Sequence, residues 1–409
     1  MTGCGEEIDF YDSTPPSMFA EESSKITSSE KKKNSLFDED VYGDTKEIIT
    51  ENIQENIQET ESPVLPETDN LNQSTSGFWR DTLSEEDKAV YDKMYETLVS
   101  GGLTASFEKE YTTKELGYIY DCLEEDHPEI FWLTLTYSTR WRDNFSSISF
   151  NYINDVNSQN LPEYRREFEE EAQKILSLVP QDVSMYEKIL FIHDYIVENT
   201  DYATDYRSIP YEQSQMYYNA YGCLVQHYCV CEGYSKAFMY LMHKLGIECG
   251  LTSGNNETHA WNYVKYDGEY YWIDVTWDDP VSYSENTTDT DEISHNYFFI
   301  TTDELLLNHS IGDKYNLFVP ECTATEYNYM RYFGNYMESY SFEEFDRIFS
   351  EKNGNAAIKF ADAQAYEDAV TDLINNNHIY STKYYTENAN SSYLYTRNDE
   401  IYILQINTK

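Results

Sequence analysis

Two segments rich in aromatic and β-branched residues, Thr258–Tyr266 and Glu269–Trp277, are separated only by Asp267-Gly268. Asp-Gly is a favoured pair for a two-residue type I′ turn, so the sequence predicts a β-hairpin. In this hairpin, the numbers of residues that lie opposite each other sum to 535. The turn therefore fixes which side chains share a face of the sheet.

The predicted register places His259 and Asp274 on one face as diagonal neighbours, about 7–8 Å apart at the backbone. An imidazole and a carboxylate can meet at that separation, and a shift of one residue would separate them. By the same counting Trp261 and Trp277 lie on opposite faces. Trp261 is thus a candidate for lining a substrate cleft, whereas Trp277 is expected to pack elsewhere.

A helix is predicted from Val230 to Gly246, because apolar residues recur on one face and a glycine ends the pattern. Cys231 then lies at the helix N-terminus, where unpaired backbone N–H groups and the helix dipole favour a thiolate. Together with His259 and Asp274 it could form a nucleophile, base and orienting group for acyl transfer. The alternative is an exposed cysteine beside an unrelated surface hairpin.

The motifs A-Y-G-C-L-V at 220–225, V-C-E-G-Y-S-K-A-F at 230–238 and T-H-A-W-N-Y…W-I-D-V-T-W-D-D-P at 258–280 resemble the bacterial transglutaminase-like superfamily. Flanking motifs at 193–202 and 295–304 extend the resemblance to roughly 184–310. It implies an α+β, papain-like core in which the cysteine helix packs on an antiparallel sheet. It also implies Cys231 as nucleophile, His259 as base and then acid, and Asp274 as the group that holds the imidazole.

Two features limit what the resemblance implies. Positions 223 and 229, usually small in such motifs, are cysteines here, so a Cys223–Cys229 pair or oxidation of Cys231 could silence the site. The oxyanion donor is also open: Gln226 is a candidate beside the backbone N–H of Cys231, since a glutamine before the nucleophile donates in papain-like sites. Alternatively, Gln226 is an ordinary polar loop residue.

Three other groups of residues could bind metals or serve structure. Cys223, His227, Cys229 and Cys231 might hold a structural zinc, which would withdraw Cys231 from catalysis, although their spacing lacks the separated knuckles of ordinary zinc sites. His193-Asp194 on a predicted helix is expected to be a hydrogen-bonded structural pair. The loop Asp278–Glu292, with Asp289 and Asp291, is expected to be a solvated acidic loop rather than a Ca²⁺ site. No metal or cofactor is expected.

The chain's charge restricts its partners. Its 409 residues include 28 Lys and Arg against 75 Asp and Glu, a formal net charge of −47. Such a field repels nucleic acid and anionic lipid headgroups. The expected partner is therefore a peptide or protein substrate, basic or associated with the cell wall. Hydrolysis is slightly favoured over transamidation, and the competing function is a catalytically silent binding or scaffold module at the cell surface.

Residues 1–76 hold 18 acidic and five basic residues and the repeat ENIQ-ENIQ, and we expect them to form a disordered acidic linker. The N-terminal M-T-G-C resembles the end of a bacterial lipobox, which makes Cys4 a candidate for lipidation. Membrane contact is expected only through that anchor. The expected location is the extracellular side of a bacterial membrane, or secretion if Cys4 is unmodified.

The remaining chain is expected to divide into an N-terminal α+β region (77–183), the transglutaminase-like core (184–320) and a small accessory α+β domain (321–409). Predicted helices follow Ser84, cover Leu161–Leu178 and follow Ser184. Predicted strands are Phe131–Tyr137 and Ser147–Ile153. The C-terminal region is expected to contain helix Ala363–Ile374 and strands around Ile379–Tyr385, Ser392–Thr396 and Ile401–Ile406.

Overall fold

The computed structural model describes residues 78–142, 144–254, 259–279, 293–312, 319–389 and 391–408. The predicted linker with Cys4 lies outside these residues, as do Asp289 and Asp291. No helix within the described ranges is both long and apolar enough to cross a membrane.

The N-terminal part packs helices on a three-stranded antiparallel sheet of order β1-β3-β2. The helix after Ser84 buries Val90, Tyr91, Met94 and Leu98, as its spacing predicts. The predicted strand pair forms, with bounds a few residues from those expected. The elements are α1 (Phe78–Thr82), α2 (Glu85–Val99), β1 (Thr104–Phe107), α3 (Thr113–Asp126), β2 (Leu133–Arg142), β3 (Phe145–Tyr152) and α4 (Leu161–Leu178).

The central part surrounds an antiparallel sheet of order β6-β7-β8-β9. A capping box between Ser184 and Glu187 begins its first helix, as predicted. The elements are α5 (Met185–Asn199), β4 (Asp201–Tyr202), α6 (Tyr211–Ser214), α7 (Ala220–Leu224), β5 (Tyr228–Cys229), α8 (Cys231–Lys244), β6 (Cys249–Ser253), β7 (Ala260–Tyr266), β8 (Glu269–Ile273), β9 (Phe298–Ile300) and α9 (Thr302–Leu305).

The hairpin register is confirmed. Tyr263 pairs with Trp272 and Tyr266 with Glu269, so paired residue numbers sum to 535. Asp267 and Gly268 both have positive φ, 52° and 87°, as a type I′ turn requires. Side chains along β7 and β8 therefore face the sides that the sequence predicts.

Helix α8 is the centre of the molecule. It packs against β6 and β7 on one side and contacts α5 and α7 on others. A helix in contact on several sides must be apolar around most of its circumference, and all but three of its 14 residues are buried. The expected fold class, α+β with the cysteine helix on an antiparallel sheet, is confirmed.

The C-terminal part is a four-stranded sheet of order β10-β11-β13-β12 with helices packed on it. The strand predicted around Ile379–Tyr385 is wrong. A 3₁₀ turn, His378–Ser381, leads instead into a short helix, because the Thr382 hydroxyl accepts from the Tyr385 N–H and begins it. The elements are α10 (Tyr329–Tyr332), β10 (Tyr336–Met337), α11 (Phe342–Glu351), β11 (Asn355–Phe360), α12 (Ala363–Val370) with a π turn (Thr371–Asn375), α13 (Lys383–Glu387), β12 (Tyr393–Asn398) and β13 (Ile403–Thr408).

Contacts run across both predicted domain boundaries. Phe131 and Phe168 from the N-terminal part belong to the same hydrophobic cluster as α8. Lys236 of α8 also forms an ion pair with Glu124 of α3. On the other side, Ile403 of β13 shares a cluster with Trp272 of β8. The three parts therefore bury their surfaces against one another.

Candidate active site

Cys231 is the first residue of α8 and is fully buried. Its position depends on Gly233, two residues later in the first turn. A Cβ at Gly233 would lie 2.7 Å from the carbonyl oxygen of Tyr217 and 2.8 Å from Sγ of Cys229. Only glycine lets the helix start so close to these groups.

His259 and Asp274 meet as the register predicts. Nε2 of His259 lies 2.5 Å from Oδ2 of Asp274, and both residues are buried. Strand β8 ends just before Asp274, where the chain turns and the backbone N–H of Trp277 donates to Oδ1 of Asp274 at 3.0 Å. The carboxylate is therefore fixed from both of its oxygens.

The second imidazole nitrogen of His259, Nδ1, is buried without a hydrogen-bond partner. Burial opposes charge on this imidazole, but Asp274 and the adjacent Cys231 outweigh it and raise the pKa of His259 to about 10. Burial likewise disfavours the charged form of Asp274, yet His259 and His309 hold the pKa of Asp274 below its ordinary value. The histidine is thus held as an imidazolium beside the thiol.

Asn262 connects the nucleophile helix to the sheet. Its side chain is fully buried in β7, and Nδ2 donates to the carbonyls of Ser235 in α8 and Gly250 in β6, at 3.1 Å each. Because these bonds are directional, they fix the distance between α8 and the strand that begins beside His259.

His309 is a site residue that the sequence does not reveal. Its Nε2 lies 2.9 Å from Oδ2 of Asp274, the oxygen that also contacts His259. Burial lowers the pKa of His309 below its ordinary value, while Asp274 acts in the opposite direction. His309 follows Asp274 by 35 residues in a segment without strand or long-helix periodicity, so no sequence pattern points to it.

The expectation that Trp277 packs away from the site is wrong. Its ring stacks on His259, with centroids 5.4 Å apart, and Trp261 lies 5.6 Å from the same imidazole. Alternation of faces holds only for an extended chain, and the turn after Ile273 returns Trp277 to the side of His259. Both indoles therefore enclose the imidazole.

Gln226 and Tyr218 are two further polar residues considered for the site, and they differ in exposure. Gln226 is exposed in the segment before β5, and its role as oxyanion donor remains a prediction. Tyr218, which the sequence did not suggest, is half-buried, and its pKa is raised by burial and by nearby groups that include Cys231. Its phenol is thus a further polar group near the thiol.

All six cysteines in the described ranges are buried free thiols, Cys223 and Cys229 among them. Burial, together with a hydrogen bond to Cys223, raises the pKa of Cys229 well above its ordinary value. Among described residues, two groups of potential ligands come within 4.8 Å of one another, and neither includes a cysteine. The cysteine-based zinc alternative thus has no assembled ligand set there.

The first of these groups lies at the start of the core. His193 Nδ1 is 2.9 Å from Asp194 Oδ1, and His295 Nε2 is 2.8 Å from the same oxygen. His193 Nε2 also contacts Asp278, which is fully buried rather than solvated. Burial opposes charge on His193, but the two carboxylates raise its pKa to about 9. The hydrogen bonding predicted for His193-Asp194 is confirmed, and its structural role stays a prediction.

The second group is His259, Asp274 and His309 itself. Its members are already joined by the two hydrogen bonds to Asp274. The arrangement as it stands therefore holds a histidine and a carboxylate next to the buried sulfur of Cys231, the set of groups used for nucleophilic attack by sulfur.

Residues 173–276 match the family model of the transglutaminase-like superfamily. The match includes Cys231, His259 and Asp274, so this segment of the chain is a transglutaminase-like domain. Members of this superfamily are cysteine-dependent acyltransferases or proteases.

Solved structures that resemble the chain include a TGase (12% identity, TM-score 0.27), which covers 46% of this chain and 53% of its own. Another is a protein from Cytophaga hutchinsonii provisionally described as a cysteine protease, with 17% identity, TM-score 0.22, and coverage of 34% and 55%. A third, from Parabacteroides distasonis, is provisionally described as a protease, with 9% identity, TM-score 0.21, and coverage of 42% and 37%. The chain thus spans about half the length of the first two, and a comparison with curated proteins gives no match.

Proposed function

We propose that the protein catalyses thiol-dependent acyl transfer on peptide or amide substrates through an acyl-enzyme on Cys231. The observation that carries the proposal is the state of His259. One ring nitrogen is bound by Asp274, and the other is buried without a hydrogen-bond partner while the adjacent Cys231 raises the pKa of the ring. A histidine in this state can hold the proton released by Cys231, so that the sulfur acts as a thiolate beside an imidazolium.

In the proposed first half-reaction, the Cys231 thiolate attacks the substrate carbonyl carbon and forms a C–S bond. The electron pair of the carbonyl moves to oxygen, where the backbone N–H of Cys231 and the side chain of Gln226 are the candidate donors. When the tetrahedral intermediate collapses, the C–N bond breaks. His259 gives its proton to the leaving amine, and a thioester remains on Cys231.

In the second half-reaction, the acceptor attacks the thioester carbon while His259 removes a proton from the acceptor. The C–S bond then breaks, and Cys231 leaves as a thiolate beside the protonated His259. Water yields a free acid, whereas a primary amine yields a new amide. We propose that hydrolysis prevails, because we find no sequence motif that would keep the thioester from water until an amine arrives, and water is abundant and small. Asp274 stabilises the imidazolium in both halves.

Charge is expected to select basic partners. After the tail is set aside, the rest of the chain keeps a net charge of −34, which concentrates cationic peptides and amines near its surface. The preference should fade as salt rises above 0.1 M, where the screening length is about 10 Å. A lysine-rich or cell-wall-derived peptide is therefore the first substrate to test.

The test incubates the enzyme with a glutamine-containing or cell-wall-derived peptide and an excess of labelled primary amine. Mass spectrometry then compares free acid with amine-labelled product, and Cys231→Ala is the control. Predominantly free acid is expected. Predominant amine incorporation would replace the hydrolase assignment with a cross-linking transferase.

A second candidate is a binding module without catalysis, and complete burial of Cys231 favours it. In that case a peptide electrophile would leave Cys231 unlabelled in the folded protein, and basic peptides would bind without turnover. Labelling of Cys231 with turnover of any peptide would exclude this candidate.

We further propose that Cys4 is lipidated and tethers the protein to the outer face of a bacterial membrane through the acidic linker. Mass spectrometry of the full-length protein from its native cell tests this. An unmodified Cys4, or an intracellular location, would contradict the anchor and leave the acyl-transfer proposal unaffected.

A further inference from the structure

Asp274 accepts hydrogen bonds from two histidines at one oxygen. Its Oδ2 lies 2.5 Å from Nε2 of His259 and 2.9 Å from Nε2 of His309, while Oδ1 accepts from the Trp277 N–H at 3.0 Å. Each of these three contacts brings a donor group to the carboxylate. His309 supplies the donor that lies directly beside the proposed catalytic base.

The ring of His309 is fixed on all sides. Its side chain is 1% exposed, and its Nδ1 lies 2.8 Å from Oδ1 of Asn308. The ring packs against Trp277 and Trp261, with centroids 4.1 and 5.0 Å away. A ring held in this way points its Nε2–H in a constant direction. It can therefore orient the carboxylate of Asp274.

The segment that carries His309 is braced by the C-terminal part of the chain. Glu304 of α9 forms an ion pair with the buried Lys359 of β11, at 2.9 Å. Asn308 donates to the hydroxyl of Tyr297 at 2.7 Å and to Glu400 at 3.3 Å. This segment lies beyond residues 173–276, so the match to the family model does not extend to it.

We infer that His309 is a positioning residue of the triad, whose Nε2–H fixes the plane of the Asp274 carboxylate and limits the negative charge that Asp274 offers to His259. The inference rests on the proposed function. Without this donor the carboxylate would be held only by His259 and the Trp277 N–H, and a carboxylate torsion is soft.

The limit on charge matters because His259 must both accept a proton and release it. A carboxylate that accepts an additional hydrogen bond spreads its charge, so it stabilises an imidazolium less strongly. The other titratable groups that face the pair are Cys231 from α8, Tyr297 from the segment before β9, and Glu400 through Asn308. His309 is the group among these that donates directly to Asp274 besides His259.

The test compares His309→Gln, which keeps an N–H donor, with His309→Phe, which fills the space without one. His295→Phe is the control, since it removes a partly buried histidine–aspartate bond in the other cluster. The readouts are the pH profile of Cys231 alkylation by iodoacetamide, kcat and KM with the active peptide, and the melting temperature.

We expect His309→Phe to lower kcat by about tenfold to 100-fold with little change in KM. The upper limb of its alkylation profile should move to higher pH, and His309→Gln should restore most of both. The inference would be overturned if His309→Phe lowers only the melting temperature, as expected for His295→Phe, and leaves kcat and the pH profile of alkylation unchanged.

Two further results keep the test decisive. If His309→Phe does not fold, histidine-ring NMR of the wild-type protein replaces it, and a His309 Nε2 without a proton would overturn the inference. Failure of the proposed function is distinguishable, because wild-type Cys231 would then resist alkylation, or Cys231→Ala would retain turnover, whatever residue stands at 309.

Discussion

Ser235, one turn after Cys231 on α8, donates its side-chain hydroxyl to the backbone carbonyl of Ala260, the residue that follows His259, at 3.0 Å. The bond is buried and joins the helix of the proposed nucleophile to the strand of the proposed base. Ser235 lies one helical turn from Cys231, and Ala260 is adjacent to His259. We therefore expect this hydrogen bond to set the distance between the thiol and the imidazole more directly than the apolar contacts around α8 do.

Ser235→Ala should therefore affect catalysis more than stability. Loss of one such hydrogen bond costs about 1 kcal/mol of unfolding free energy, whereas a small displacement of α8 should lower kcat by about tenfold. Tyr240→Phe is the control, since it removes a bond from the same helix to Glu169 on α4, away from the site. Steady-state kinetics give kcat, and urea unfolding gives the stability of both variants. If Ser235→Ala and Tyr240→Phe lower kcat equally, Ser235 does not position the thiol against the imidazole.

Cys231 should react with iodoacetamide near pH 7 faster than Cys249 or Cys322. All three are buried, so exposure does not distinguish them. Burial raises the pKa of Cys249 well above its ordinary value and that of Cys322 to about 12, whereas Cys231 lies beside a charged imidazole. Peptide mapping after timed alkylation measures the rates, and uniform labelling would count against the triad.

Replacing His259, the proposed base, and replacing Asp274, its orienting group, should lower turnover to different extents. His259→Ala removes the proton acceptor and should abolish turnover, whereas Asp274→Asn keeps the shape but no longer stabilises the imidazolium. We expect Asp274→Asn to lower kcat by roughly 10²- to 10⁴-fold. Steady-state kinetics on the same peptide compare them, and a wild-type rate for Asp274→Asn would refute its role.

Stability should fall as pH rises above neutrality. The pKa of His259 is about 10 in the folded protein against an ordinary 6.5, so its stabilisation is complete below pH 6.5 and is lost as pH approaches 10. The difference in unfolding free energy between wild type and His259→Gln should therefore shrink over that interval in urea titrations. The stabilisation from His193, whose pKa is about 9, should be lost in the same way as pH approaches 9. If the difference in unfolding free energy between wild type and His259→Gln stays constant with pH, the imidazole of His259 is not charged in the folded protein.

Gly233→Ala should disturb the start of α8. Its Cβ would lie within 3 Å of the Tyr217 carbonyl and the Cys229 side chain, and overpacking of this kind costs about 1–3 kcal/mol. Alkylation of Cys231 should slow at the same time. Gly246→Ala at the other end of the helix meets no atom within 4 Å, so it should cost stability through its positive φ alone and leave Cys231 reactivity unchanged.

The sequence was most informative where local rules decide the outcome. The Asp267-Gly268 turn sets the register that brings His259 to Asp274, and the Ser184 capping box begins α5 at the expected residue. These features depend on neighbours along the chain. They are therefore visible without knowledge of the tertiary fold.

Expectations failed where a turn or a distant segment intervenes. Alternation of faces predicts the wrong side for Trp277, because the strand ends at Ile273. The sequence predicts a solvated loop at Asp278, which is in fact buried, because its hydrogen-bond partner His193 is 85 residues away. His309 was missed for the same reason. Its contact with Asp274 follows from the return of the chain after β9, which no periodicity encodes.

The hydrophobic cluster shared by the hairpin and the C-terminal sheet has a consequence for how short a folded fragment of this chain can be. Trp261 and Trp272 bury their indoles against Ile401 and Ile403, near the end of the chain. A fragment trimmed to the segment that matches the family model would expose both rings to water and lose the brace behind His309. The transglutaminase-like segment is thus not independent of the rest of the chain, because the C-terminal sheet covers one side of the hairpin that carries Trp261 and Trp272. Proteolytic cleavage within that sheet is therefore expected to loosen the hairpin at a distance from the cut.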